Sequence, residues 1–597
     1  MWGSNLKKNL ISRRSLTFTR LQSTGKSSPT IPAPPLPPKA KSSSLGYALV
    51  GLLFLGGGIY LGSQYNSIFT TAPLKSSTTT IESLPPLIYA DDNQFQQGIS
   101  EIKAILTPDQ FNYDEEVIKS QSDSFFSTHH PPKPQDQKPK VIISPNNTQE
   151  VSDILKIANK YHIPIVANSG LTSLEGQTMH TRGPNSIALS FSHLNNIVEF
   201  HPDDLDIVVQ PGVGWSELDD YLKSHPLGSH LLFPVDPGLG ATIAGMVATS
   251  ASGTNAYKYG TMKENVVNLT VVLADGSIIK TKQRPRKSSA GYDLTRLFIG
   301  SEGTLGIITE ITIKLHVRPK RELVSIASFP TIKDASATAQ EIINKSGLQL
   351  NAIEILDETT VSFVNDGSSK DKKFDEKPTL FFKIGGPSDQ SINEQVKVIK
   401  EIANRNHLIK FQNSHNEEEN AVLWSARRQG LWSTFEYGNK VLPDPNDVQI
   451  WTTDIAVPLS KVSQVITETN DDLNNSGFKG KFSVMGHIGD GNCHFLLLYN
   501  SPDYHKTKTL VDRMVERALK YEGTSTGEHG VGVGKRKYLE KEFSPSSLDL
   551  MRHIKLSLDP HRILNPDKIF IIDKDDNLDE LLEAGHIQSV NKHDCCH

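Results

Sequence analysis

The stretch Pro234-Val235-Asp236-Pro237-Gly238-Leu239-Gly240-Ala241-Thr242-Ile243-Ala244-Gly245-Met246, followed closely by Ser250-Ala251-Ser252-Gly253-Thr254-Asn255-Ala256-Tyr257-Lys258-Tyr259-Gly260-Thr261, decides how this chain is read. Small residues dominate both runs, as a backbone requires when it must lie against something flat and large. Upstream, Val141 to Ile143 reads as a strand, and Asn147 with Glu150 makes a capping signal. Val151, Ile154, Leu155 and Ala158 then recur at helical spacing up to Tyr161, and Ile163 to Ala167 returns as a strand. This β-α-β unit ends in Ser169-Gly170-Leu171-Thr172-Ser173-Leu174-Glu175-Gly176. Its amides and hydroxyls suit a pyrophosphate, although an ordinary Ser/Gly turn has the same composition. Downstream, Gly300-Ser301-Glu302-Gly303-Thr304-Leu305-Gly306-Ile307-Ile308-Thr309 leads into alternating Ile311, Ile313 and Leu315, a strand expected to close the domain.

Rival nucleotide motifs fail. Gly238-Leu239-Gly240 has Ile243 where a Rossmann fingerprint has its third glycine. Gly534-Lys535 is followed by Arg536 instead of Ser or Thr, and His529 stands where a P-loop has its first glycine.

Taken in this order, the stretches resemble the flavoproteins of the vanillyl-alcohol oxidase (PCMH-type) fold, in the branch of D-lactate and D-2-hydroxyglutarate dehydrogenases. The likeness runs from about Val141 to Phe570 and implies bound FAD. By motif, Ser169, Gly170, Thr172 and Ser173 would hold the pyrophosphate. Asp236, Pro237, Gly240, Ala241, Thr242, Gly245, Ser252, Gly253, Tyr259, Glu302, Gly303 and Gly306 would lie along the cofactor. Ile308 would meet the flavin edge, and Asn565 would return to it from Asp559-Pro560-His561-Arg562-Ile563-Leu564-Asn565-Pro566. Two positions depart from the family: Leu171 stands where a further glycine is usual, and Ala244-Gly245 where Gly-Gly is usual. A leucine forced to positive φ costs about 1–2 kcal/mol. No histidine lies in the Ser169 to Gly176 loop, so the resemblance implies non-covalent FAD.

From Arg321 onward helices alternate with strands, with helices expected at Ala335 to Lys345 and Asn393 to Asn404 and a strand at Leu380 to Ile384. Glu417 to Glu419 should open a helix carrying Arg427. Gly486-His487-Ile488-Gly489-Asp490-Gly491-Asn492-Cys493-His494, between two apolar runs, reads as a β-hairpin. If Asp490-Gly491 is a two-residue turn, His487 opposes His494, with Cβ atoms about 4.5–5.5 Å apart. That is close enough to share a metal ion or a substrate, and equally what a pair on a wet sheet face would show. In this register Cys493 pairs with Ile488 and points away from the histidines. A helix from Thr507 to Tyr521 precedes a glycine-rich loop from Gly523 to Gly532 that contains Glu528 and His529.

The resemblance assigns roles here. Arg427 would grip the substrate carboxylate with its planar fork, where a surface arginine would instead pair with Glu418 or Glu419. His487, His494 and Glu528 would hold a divalent metal, Zn²⁺ by donor set, and His529 would act as general base. The implied reaction is oxidation of D-lactate, a D-2-hydroxy acid, to pyruvate by hydride transfer to flavin N5, with cytochrome c as acceptor. Alternatives are D-2-hydroxyglutarate as substrate, oxygen as acceptor, or redox-neutral transfer as in ether-lipid synthases. Leu431 and Thr452-Thr453 replace the Thr and Lys of other members near the carboxylate, which disfavours a dicarboxylate.

The expected architecture is α+β: a two-subdomain FAD-binding domain at 138–320, and a substrate-capping domain with an antiparallel sheet at 321–572. Residues 63–137 form a linker and N-terminal helical segment, ordered from Ile99 to Leu106, and 573–597 a tail. Residues 1–44 contain no acid, with Lys7, Lys8, Arg13, Arg14 and Arg20 among Ser, Thr and Leu, and then a Pro-rich spacer. This is a mitochondrial presequence composition. Leu45 to Gly62 is an uncharged apolar run, read as a single membrane span over a shorter secretory signal. Lys39 and Lys41 before it keep the N-terminal side in the matrix and the catalytic body in the intermembrane space. A net charge of −5 excludes a nucleic-acid binder, and three cysteines exclude a disulfide framework. Cys595 and Cys596, in a terminal His-Asp-Cys-Cys-His, read as a frayed tail.

Overall fold

Three strands, Val141–Ile143, Ile187–Ser190 and Ile165–Asn168, run parallel in that spatial order, with Phe111–Asn112 added antiparallel at one edge. This is a computed structural model, and it describes residues 76–124, 127–367 and 373–584. The β-α-β unit forms, but Ile187–Ser190 lies between the two strands that its helix joins. Val141, Ile143, Ile165, Ile187 and Leu189 are buried completely, as parallel strands covered on both faces must be. The helix Thr148–Tyr161 starts where expected: the Glu150 amide donates to Asn147 Oδ1 at 2.9 Å, and Asn147 Nδ2 donates to Glu150 Oε1 at 2.9 Å.

The second sheet is antiparallel, in the order Ile197–His201, Asp206–Val209, Ile307–Lys314, Val266–Val272, Ile278–Lys280. The strand expected to close the domain is therefore its centre. Ile311 and Ile313 pack inward against the helix Ile243–Thr249 and the apolar residues around it.

The larger antiparallel sheet orders Lys410–Asn413, Arg321–Ser328, Thr379–Gly386, Ala352–Leu356, Phe482–Gly486, Asn492–Tyr499 and Gln449–Thr452, and Ile455–Ala456 pairs with Asn492–Tyr499. Leu380, Phe382, Ile353 and Ile355 face helices Ile332–Glu341, Asp389–Arg405, Val462–Leu473 and Tyr504–Lys520. Phe381, Ala352 and Leu356 face Glu358–Gly367 and Glu417–Val441. Period-two alternation thus feeds two cores at once, one on each side of the sheet. Several helices begin before their apolar periodicity because a side chain caps them: Asp91 before Asp92–Lys103, Thr331 before Ile332–Glu341 and Ser388 before Asp389–Arg405. Segments expected to start at Ile99, Ala335 and Asn393 are accordingly longer at the N-terminal end.

Among the described residues no helix is long and apolar enough to cross a membrane. The expected presequence, the span at 45–62 and the terminal cysteines lie outside the described residues.

Candidate functional site

A cavity of about 750 Å³ extends from the Ser169 turn to His487, His494 and Glu528. Ser169, Gly170, Thr172, Ser173, Asp236, Pro237, Ala241, Thr242, Gly245, Ser252, Gly253, Glu302, Gly303, Gly306, Ile308 and Asn565 line it, together with Arg427 and His529. Two expected cofactor residues are placed elsewhere. Gly240 backs onto the turn, its carbonyl 2.7 Å from where a Cβ on Gly170 would be. Tyr259 lines an adjoining cavity of about 270 Å³ that shares Trp215 and Asp236 with the first, its ring edge-on to His316 at 4.9 Å between centroids.

The turn fits a large anionic cofactor. Gly170 has no room for a side chain, and Ser173 Oγ is buried without a protein partner. Ser169 has a different task, since its hydroxyl donates to Pro211 O at 3.1 Å and accepts from Thr242 Oγ1 at 2.7 Å. Asp236 likewise holds backbone: it accepts from Thr254 Oγ1 at 2.7 Å and from the Asn255 amide at 3.2 Å, fixing the second small-residue run. Leu171 has φ +53°, the left-handed conformation that a glycine would adopt without strain.

The hairpin register differs from the expected one. Met485, not His487, faces His494, and Phe482 faces Leu497. Asp490-Gly491 does not form a two-residue hairpin turn, which would need positive φ at Asp490, and only Gly491 has it. Instead Ile488–Asp490 make a 3₁₀ turn ended by Gly491 at φ +77°. The His487 carbonyl accepts from the Asp490 amide at 2.9 Å and the Asn492 amide at 3.3 Å, while Ile488 is drawn into the core. His487 and His494 are therefore diagonal neighbours, with ring centroids 5.5 Å apart and planes at 88°. Cys493 is buried in the same apolar cluster as Ile488.

Both histidines turn Nε2 to one oxygen of Glu528, at 3.0 Å for His487 and 3.2 Å for His494. Their Nδ1 atoms are engaged behind, His487 with Glu354 Oε1 at 2.8 Å and His494 with Thr453 O at 3.0 Å. An Nδ1–H held by a carboxylate or carbonyl fixes the tautomer that leaves Nε2 for a cation. With three donor atoms within 4.8 Å of one another, His487, His494 and Glu528 can hold a divalent ion. Burial pushes the His487 pKa down, but Glu354 and Glu528 hold it well above the usual range. Burial raises that of Glu528, and His487 and His494 pull it well below. The group thus favours a positive charge between its members, whether proton or metal.

Asp454, His494 and His529 also stand close enough to hold an ion. Most of the acceptor capacity of Asp454 is already taken. Its Oδ2 accepts the amides of Gly527 (2.8 Å), Glu528 (2.9 Å) and His529 (2.8 Å) and the Thr526 hydroxyl (2.9 Å), and Oδ1 accepts from Asn492 Nδ2 at 2.8 Å. Asp454 is an anchor for the loop that carries Glu528 and His529. From the opposite side, Glu302 accepts the amides of Val531 and Gly532 at 2.6 and 2.9 Å, and Asn565 donates to the carbonyls of Gln177 and Glu302 at 3.2 and 2.7 Å. Burial pushes the Glu302 pKa up to about 7.

His529 lies in the cavity wall, stacked on His494 with centroids 5.1 Å apart. Burial lowers its pKa to about 4, against the pull of Asp454, so the ring is neutral near pH 7. Glu175 and Lys535 form a buried pair at 3.0 Å behind it. Arg427 comes from the helix Glu417–Val441, whose acidic start is capped by Asn416. It is buried, and its Nε donates to Glu354 Oε2 at 2.7 Å, not to Glu418 or Glu419. Glu354 and Asp454 did not emerge from sequence. A charge inside Ala352-Ile353-Glu354-Ile355-Leu356 is the one signal that could have flagged the first.

Residues 139–282 match the FAD binding domain family, and residues 318–569 match the family described as FAD linked oxidases, C-terminal domain. The chain is 46% identical to a Kluyveromyces lactis protein named D-lactate dehydrogenase (cytochrome), mitochondrial, over 90% of this chain and 92% of that one. It is 47% identical to D-lactate dehydrogenase (cytochrome) 1, mitochondrial, of Saccharomyces cerevisiae, over 83% and 84%. Among solved structures, 4-ethylphenol oxidase from Gulosibacter chungangensis has the same fold, with a TM-score of 0.65 at 18% identity over 82% of this chain and 99% of that one. With its paired flavin and C-terminal domains and relatives this close over nearly full length, the chain belongs to the FAD-linked oxidase family, in the branch of the mitochondrial D-lactate dehydrogenases (cytochrome).

Proposed function

We propose that the protein oxidises D-lactate to pyruvate, using FAD and passing electrons to cytochrome c. The observation that carries this reading is the convergence of Arg427, the His487, His494 and Glu528 group, and neutral His529 on one end of the cavity whose other end is the Ser169 turn. The printed names of the relatives favour the same substrate and acceptor. FAD supplies the two-electron acceptor for the C2 hydride, and a divalent ion, Zn²⁺ by its donor set, supplies positive charge for the hydroxyl oxygen. Arg427, its Nε fixed on Glu354 and its Nη1 against Met485 Sδ, presents its remaining Nη hydrogens to the carboxylate. His529 takes the hydroxyl proton, and the resulting imidazolium is stabilised by Asp454 and Glu175, whose oxygens lie 4.0 and 3.9 Å from Nδ1. Leu431, one helical turn beyond Arg427, puts an apolar side chain into the cavity wall, which suits a short monocarboxylate better than 2-hydroxyglutarate.

The acid-free leader, the apolar run at 45–62 and the lysines before it support anchoring in the mitochondrial inner membrane with the catalytic body in the intermembrane space. Anaerobic spectroscopy with D-lactate, L-lactate and D-2-hydroxyglutarate, with metal analysis, tests the reading. D-lactate should bleach the flavin and cytochrome c should restore its colour. Bleaching by no D-2-hydroxy acid would overturn the assignment and leave redox-neutral transfer, whereas preferential bleaching by D-2-hydroxyglutarate would move the substrate.

A further inference from the structure

One buried acid lies behind the cavity wall and touches two of the residues that line it. Glu354 stands in the strand Ala352–Leu356 and is fully enclosed. Its oxygens serve two partners from different elements: Oε1 accepts from His487 Nδ1 at 2.8 Å, and Oε2 accepts from Arg427 Nε at 2.7 Å. Because a carboxylate only accepts, His487 must carry its proton on Nδ1, which leaves Nε2 for the cation site. Arg427 spends Nε on Glu354 and one Nη1 hydrogen on Met485 Sδ at 3.4 Å, and its other Nη hydrogens remain for a ligand.

We infer that Glu354 is a positioning residue that ties the carboxylate clamp to the histidine group, holding the two at one separation. The inference rests on the roles proposed for Arg427 and His487. A 2-hydroxy acid carries its carboxylate and hydroxyl on adjacent carbons, so the two grips must be set against each other closely, and one rigid acid does this with a hydrogen bond in each direction. Glutamine cannot replace it. Its amide offers one acceptor and one donor group, so either His487 or Arg427 would meet an N–H.

The experiment reads each arm with its own probe, on folded protein retaining FAD absorbance. Zinc affinity, measured by chelator competition, reports the His487 arm. The inhibition constant of propionate, a carboxylate without the hydroxyl, reports the Arg427 arm. Glu354→Gln should weaken zinc binding by about 10- to 100-fold and propionate binding by about 10-fold or more. His494→Ala should weaken zinc alone, and Arg427→Met propionate alone. Wild-type values for either probe in Glu354→Gln would overturn the bridge. Should that variant not retain FAD, Glu354→Asp, which keeps the charge but is one methylene short, must weaken both probes; wild-type affinity for either would again overturn it. If Arg427→Met leaves propionate unaffected, or His494→Ala leaves zinc unaffected, the fault lies in the proposed clamp or metal site, and the controls show which.

Discussion

Replacing Asp454 by asparagine keeps the size of the side chain and removes the charge on which the Glu528-His529 loop hangs. Hydrogen bonds to a charged acceptor contribute about 1.5–3 kcal/mol against about 0.5–1.5 for a neutral one. The three amides of Gly527, Glu528 and His529 on Oδ2 therefore lose about 1 kcal/mol each, about 3 in all. At about 1.4 kcal/mol per decade, opening of the loop becomes about 100-fold more frequent. Asparagine also sets a donor against Asn492 Nδ2, which now donates to Oδ1 at 2.8 Å. Amide hydrogen exchange on the FAD-loaded variant should be about 100-fold faster at 526–532 and unchanged in the strand Thr379–Gly386. The kcat/KM for D-lactate should fall by about the same factor, since a misplaced base and ligand lose their alignment. Wild-type exchange at these amides in a folded variant would refute the anchoring role of Asp454.

Leu171→Gly removes about 1–2 kcal/mol of left-handed strain and returns about 0.4–1 kcal/mol of unfolded-chain entropy, so FAD dissociation should slow or hold steady; faster loss of FAD would show that the leucine side chain itself retains the cofactor. His180 is buried with Nδ1 on Ser186 Oγ at 2.8 Å, and burial lowers its pKa from 6.5 to about 3. The unfolded chain then binds a proton that the folded one does not, so stability falls as pH drops below 6.5, by about 2 kcal/mol near pH 5. Denaturant unfolding of His180→Gln near pH 5 and near neutrality should show a weaker acid loss than the wild type; an identical loss refutes the assignment. Cys493→Ala should leave metal content intact and His494→Ala should lower it, as metal analysis of the two proteins would show, and the reverse result would mean that the strand faces are misassigned.

The small-residue runs, the capped helix after Asn147 and the apolar strands of both sheets were legible because period and capping are local. So was the nearness of His487, His494, Glu528 and Arg427 through a family likeness, although the hairpin register was not. Asp490-Gly491 is a good local turn signal, but burying Ile488 in the core is a tertiary demand, and it selected a longer connection. Glu354 and Arg427 are 73 positions apart, and Asp454 reaches amides more than 70 positions away. Such pairings follow from how strands order in a sheet, which no local pattern encodes. Ser169, Asp236 and Glu302 line the cavity, but their side chains hold backbone in place, a distinction visible only once donors and acceptors are paired.

Residues 563–565, which follow the cap in sequence, also complete the first sheet. The Ile165 amide donates to Ile563 O, and the Asn565 amide donates to Ile165 O, both at 2.8 Å, while buried Lys555 ties Thr304 O to Leu564 O. During synthesis the first sheet therefore stays unfinished, with the edge at Ile165 bare until the cap has been made. A chain stopped before Ile563 lacks these bonds and presents the Ile165 edge open.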